Sequence, residues 1–155
     1  MDKTYKHSFK VTEKPITSLS VYNTGVQRCE GGYNWGPGIR DHYLIHYIME
    51  GKGTYTVQNK TYMLTKGDMF LVYPNELVTY QADMQEPWSY CWVGFAGLDA
   101  DTLIKQTDYS KKHPILHVLD REHTGDLLLC IYQWRGARTF EIARMTGTIY
   151  GFLVW

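Results

Sequence analysis

Short runs rich in aromatic and branched residues, separated by turn residues, fill the first two thirds of the chain, and they predict strands. Residues 18–30 open with a β-leaning run. Residues 31–38, GGYNWGPG, are rich in Gly and Pro and read as a loop. HYLIHYIM, residues 42–49, is dense in aromatic and branched side chains and reads as a strand. EGKG, residues 50–53, turns the chain round. Residues 54–58 and 61–64 flank Asn59-Lys60, which fits a hairpin. A turn at 65–68 leads into a strand at 69–73, which Pro74-Asn75-Glu76 ends. Strands at 77–82 and 88–95 follow. Seven or eight short strands at this spacing indicate a barrel or sandwich. No strand–helix alternation appears, which argues against a doubly wound sheet.

The pattern changes after Gly97. Residues 98–107 read as a short helix, 113–118 as extended and 124–134 as helical. In 139–155 the apolar residues Ile142, Met145, Ile149 and Phe152–Leu153 recur at helical spacing. The chain stops inside that pattern without a Gly, Asn or Pro stop signal, so a fragment of a longer protein is expected. The division expected is an N-terminal arm at 1–16, a barrel core at 17–97 and a mixed and helical region at 98–155.

Composition narrows the classes. The chain has 155 residues, is 44% hydrophobic and 21% charged, and has a formal net charge of zero. That suits one folded domain with a real core and lacks the basic footprint of a DNA-binding domain. The start, MDKTYKHSFK, is too polar for a signal peptide, and no apolar run approaches the ~20 residues of a membrane span. Cys29, Cys91 and Cys130 are odd in number, with no C-x-x-C, and read as reduced thiols of a cytoplasmic protein. The 13 Tyr and 5 Trp stand out. Each joins a flat apolar face to a hydrogen-bond donor, which suits recognition of polar, partly apolar ligands.

His42, His46 and Glu50 raise the question of a metal. On a regular strand Arg40, His42, Leu44, His46, Ile48 and Glu50 share a face. Residues four apart on a strand are separated by roughly 13 Å at the backbone, whereas metal ligands converge within ~2 Å of one ion. Glu50 begins a turn, where a solvated carboxylate is expected. No metal and no cofactor is expected.

IMEGKGTY (48–55), GDMFLVYPNE (67–76) and PWSYCWVGF (87–95), in this order and spacing, resemble the N-terminal effector-binding domain of AraC-family transcription regulators of the sugar-responsive type. The resemblance implies a mainly β fold: a cupin-like double-stranded β-helix, or jelly-roll barrel, followed by C-terminal α-helices. It implies a small effector in the barrel, often a sugar, and a homodimer through the C-terminal helices. DNA would be bound only through a separate helix-turn-helix domain absent from this chain. Metal-binding cupins carry a close His-x-His and a further His after the second motif's turn. Here the histidines stand at His42-x-x-x-His46, and residues 75–79 contain none.

The family's ligand contacts fall on the strand face around Arg40 and on Tyr80, Tyr90 and Trp92. A Trp face can cover a sugar ring, while Arg40, His42, His46 and the Tyr hydroxyls supply hydrogen bonds. Each of these residues has a plain packing alternative. The pattern departs from the family's sugar-binding prototype, whose clamping arginine aligns near residues 36–37 and whose histidine aligns on Tyr90. Three functions follow in order: a ligand-sensing, dimerising regulator domain that is not an enzyme; a purely structural dimerisation module; and a metal-dependent cupin enzyme. A metal-free enzyme lacks a nucleophile–base pair. In the first reading the polar N-terminal arm would fold over bound ligand.

Overall fold

A computed structural model describes residues 3–11, 18–116 and 121–154. Its strands are β1 (Tyr5–Lys10), β2 (Ser20–Arg28), β3 (Asn34–Gly38), β4 (Tyr43–Glu50) and β5 (Lys52–Val57), then β6 (Lys60–Thr65), β7 (Met69–Val72), β8 (Val78–Ala82), β9 (Ser89–Ala96) and β10 (Ile115–Leu116). The helices are α1 (Ala100–Lys105), α2 (Arg121–Gln133) and α3 (Thr139–Leu153). The expected arm–barrel boundary at 16–17, the end of the extended segment at 117–118 and the last residue of the expected final helix lie outside the described residues.

Among the described residues, one sheet has the order β1-β2-β9-β4-β7-β10 and the other β3-β8-β5-β6. The antiparallel partners nest: β5 with β6, β4 with β7, β3 with β8, β2 with β9. The chain is thus one long hairpin, folded at the β5–β6 turn, whose two arms wind together through alternate sheets. That is a double-stranded β-helix, the cupin-like jelly roll expected. The pairs β4–β9 and β5–β8 knit the turns of the coil within each sheet.

Alternation along β4 decides what faces what. Tyr43 and Ile45 pack with Leu71, Val93, Leu128, Ile131, Met145 and Ile149 on the helix-covered side. Leu44 and Ile48 face the barrel interior with Tyr55, Phe70, Val72, Trp88 and Tyr90. The stripe Met145, Ile149 and Phe152 of α3 is therefore buried within the single chain, and Ile142 is only partly buried. Exposed apolar side chains around α2 and α3 include instead Trp134, Phe140 and Val154.

Three details depart from the sequence expectation. The segment 31–38, expected as a loop, contains β3, which pairs with β8 at the edge of its sheet. An edge tolerates Pro37, which has no N–H to donate, and the pairing shifts register between Trp35 and Gly38. Trp35 holds the strand in place by stacking on Tyr80, with ring centroids 5.2 Å apart. The polar stretch Tyr5–Lys10 is a strand paired along its length with β2, where an arm was expected. The β5–β6 loop is Gln58–Asn59, both with positive φ (51° and 61°), one residue earlier than Asn59-Lys60. Positive φ at both loop positions matches the strand twist, and Gln58 carries no residue-type signal for it.

Candidate functional site

The barrel opens into a cavity of about 220 Å³ between the two sheets. Its lining includes Arg40, His46, Tyr80, Tyr90 and Trp92. The structure thus brings together five of the six residues expected from the sequence.

His46 forms the floor. Its ring stacks on Phe70 (centroids 4.5 Å, planes 8° apart) and meets Tyr80 and Tyr90 at 4.8 and 4.7 Å. It is 2% exposed, and its Nδ1 has no hydrogen-bond partner. Burial, then the charges of Arg40 and Lys6, hold its pKa well below the ordinary imidazole value. The ring is therefore neutral at pH 7 and keeps one acceptor and one N–H.

Arg40 forms one wall. Its guanidinium lies 4.0 Å from the centre of the Trp35 ring, and its Nη2 donates to the Tyr80 hydroxyl at 3.3 Å. Its Nε is buried without a partner. Burial pushes the Tyr80 hydroxyl up to about 12, with Arg40 opposing, so the phenol stays protonated. Tyr90, whose pKa burial also raises, donates to Gln27 Oε1 at 3.3 Å.

Trp92 forms the opposite wall. It pairs with Gly25 in the β2–β9 ladder. A Cβ on Gly25 would sit 2.2 Å from Trp92 Cζ2 and 2.4 Å from the His7 carbonyl oxygen. The missing side chain gives the indole room to lie over β2 and lets β1 approach.

His42 does not join this group. It precedes β4, and its ring stacks on Tyr22 at 4.2 Å. Its Nδ1 is 2.8 Å from Asp41 Oδ1. Tyr22 sits where the β2–β9 register slips between Val21 and Asn23, a bulge that re-aims one side chain. His42 lines an adjoining depression at the barrel rim with Tyr22 and Ile39, which shares Lys10, Asn23 and Arg40 with the cavity. Burial lowers its pKa against the pull of Asp41. Among the described residues, no group of three or more His, Cys, Asp or Glu side chains is placed to hold a metal ion.

The sequence reading missed the contribution of the first two strands. Lys6, Ser8 and Lys10 of β1 and Asn23 and Gln27 of β2 line the cavity. The available signal was the face Asn23, Gly25, Gln27, which is polar and small where a core strand would carry apolar residues.

A barrel interior of this kind, aromatic-walled and furnished with unpartnered polar atoms, defines a small-ligand-binding domain. A family profile described as the AraC-like ligand binding domain matches residues 21–144. The chain belongs to that family. Among curated proteins it is 48% identical over 95 residues to the Msm operon regulatory protein of Streptococcus mutans, covering 61% of this chain and 34% of that one. It is 37% identical over 122 residues to the raffinose operon transcriptional regulatory protein RafR of Pediococcus pentosaceus (77% and 44%). It is 32% identical over 108 residues to the lactose operon transcription activator of Staphylococcus xylosus (70% and 39%). The chain thus spans between 34% and 44% of the length of these relatives. Among solved structures, the cupin domain of Schizosaccharomyces pombe Cnp3 is similar at a TM-score of 0.49 and 16% identity, over 66% of this chain and 70% of that one. No helix among the described residues is long and apolar enough to cross a membrane.

Proposed function

We propose that this chain is the effector-sensing domain of a cytoplasmic transcription regulator and that its effector is a saccharide held in the barrel cavity. The observation that carries the reading is the cavity itself. Unpartnered polar atoms on Arg40 and His46 stand beside the faces of Trp35 and Trp92. Buried polar atoms without partners are costly, and a polyhydroxylated ligand offers the missing hydrogen bonds. A flat indole offers the complementary apolar surface. Two curated relatives are named for the raffinose and lactose operons, and both of these sugars contain a galactose unit. His42 has no direct contact in this reading and supports the rim.

The domain senses and does not turn its ligand over. It forms a homodimer through the helical layer, where Phe140 and Val154 are exposed. DNA is bound by a part of the regulator outside this chain. The effector acts by binding one arrangement of barrel and dimer better than another, since equal affinity for both would shift nothing.

A thermal-shift screen of galactosides, with and without chelator, tests this. A ligand at about 100 times its dissociation constant adds about 2.7 kcal/mol, or roughly 5–10 °C for a domain of this size. The shift should ignore chelator and vanish in Trp92→Ala. A flat sugar panel combined with a large drop in stability on adding chelator would sink the proposal.

A further inference from the structure

The charge lining the cavity is one-sided. Lys6, Lys10 and Arg40 line it, and no carboxylate among the described residues does. That asymmetry stands out in a chain whose acids and bases balance at 16 each. Asp41, next to Arg40, is turned outward with its side chain 84% exposed, and its Oδ1 is taken up by His42. Arg40 is held by a ring face and a neutral hydroxyl, so its position costs it none of its charge. One of its five N–H groups is committed to Tyr80, which leaves the others to pair with an oxyanion. Lys6 Nζ lies 5.8 Å from the centre of the Trp92 ring, which brings its charge over the wall expected to hold a sugar. The low-dielectric aromatic walls strengthen such a field inside the cleft.

We propose that the effector is an anionic saccharide, one bearing a phosphate or a carboxylate, with the anion on Arg40, Lys6 and Lys10 and the ring against Trp92. This rests on the saccharide reading above and narrows it. A neutral sugar would gain hydrogen bonds from these cations but would leave three like charges facing one cavity. An anion removes that repulsion and gains charge-assisted bonds, roughly twice as strong as neutral ones.

Calorimetric titration of the whole chain with galactose, galactose 6-phosphate, galacturonate and inorganic phosphate tests it. At least one of the two anionic sugars should bind tenfold or more tightly than galactose, and which one does so identifies the anionic group. The preference should shrink as salt rises from about 50 to 500 mM, because exposed lysines are screened over that range. It should fall at least fivefold in Lys6→Ala/Lys10→Ala. The salt series on the unaltered protein decides the matter even if that variant folds poorly. Equal or tighter binding of galactose overturns the anionic inference and leaves the saccharide receptor standing. Binding of inorganic phosphate as tight as that of the ester overturns the saccharide part. No binding by any of the four overturns the anionic inference, and the galactoside screen above then decides the saccharide reading by itself.

Discussion

The two faces of the large sheet use the same strands for opposite purposes. On the helix-covered face, Ile45, Leu71, Val93 and Ile149 meet at 0% exposure, all aliphatic, with no hydrogen bond to satisfy. On the barrel face, one residue along each strand, His46, Tyr90 and Trp92 surround open space, and His46 Nδ1 is buried there without a partner. The first face is a core whose contacts hold the fold. The second spends stability to keep donors and acceptors ready for something absent from the chain itself. A period of two along β4 is enough to separate the two roles, since Ile45 and His46 are adjacent.

The largest effect that sharpens this contrast is expected on the helix side. Ile45→Ala should cost about 2–5 kcal/mol, read as a lower midpoint in urea, while the folded variant keeps its affinity for effector. Lost affinity with unchanged stability would break the distinction. Next comes Gly25→Ala on the barrel side. Its Cβ would collide with Trp92 and the β1 backbone, so about 1–3 kcal/mol is expected. Here affinity should fall with stability, because the wall itself is displaced; unchanged binding would show that neither Trp92 nor β1 matters to it.

The smallest effect has the opposite sign. His46→Phe replaces an unpartnered ring nitrogen by carbon on the Phe70 stack, and should stabilise the unliganded protein by about 1 kcal/mol while weakening effector binding. Its pH dependence follows from the depressed folded-state pKa of His46. Below the unfolded value of about 6.5, the unfolded chain binds a proton that the folded chain refuses, so wild-type stability falls as pH falls. Thermal melts should therefore show the variant's advantage widening from pH 7.5 to pH 5. A constant gap would mean that His46 titrates normally in the fold.

Most of the barrel was legible because its central strands are short runs of aromatic and branched residues bounded by turn residues. β4, β7 and β9 sit within a residue or two of their expected places, and α3 follows its apolar spacing. β3 was hidden because Gly36 and Pro37 are loop residues everywhere except at a sheet edge. β1 was hidden because an exposed edge strand has no buried face to impose alternation, and YKHSFK is exposed at five of its six positions. The site was readable wherever one strand carried it: the spacing of Tyr90 and Trp92 put both on one face. The contacts supplied by Lys6, Asn23 and Gln27 depend on pairings such as Gln27 with Tyr90, which nothing local encodes. His42 fell out of the group because the regular strand starts one residue after it, at Tyr43.

The nested pairing has a consequence for the entropy of the chain. The innermost partners, Val57 and Lys60, are neighbours in sequence, whereas Thr24 reaches Trp92 across 68 positions. Closing that outer loop in one step would cost about 3 kcal/mol more than closing the inner one. Winding outward from the β5–β6 turn replaces the single long closure by a series of short ones, each pair shortening the loop left for the next. β2 comes at the end of that series, and β1, which pairs with nothing but β2 among the described strands, comes after it. Lys6 and Lys10, which β1 brings to the cavity, thus sit on the last strand to join this order and the one that can leave without undoing the rest.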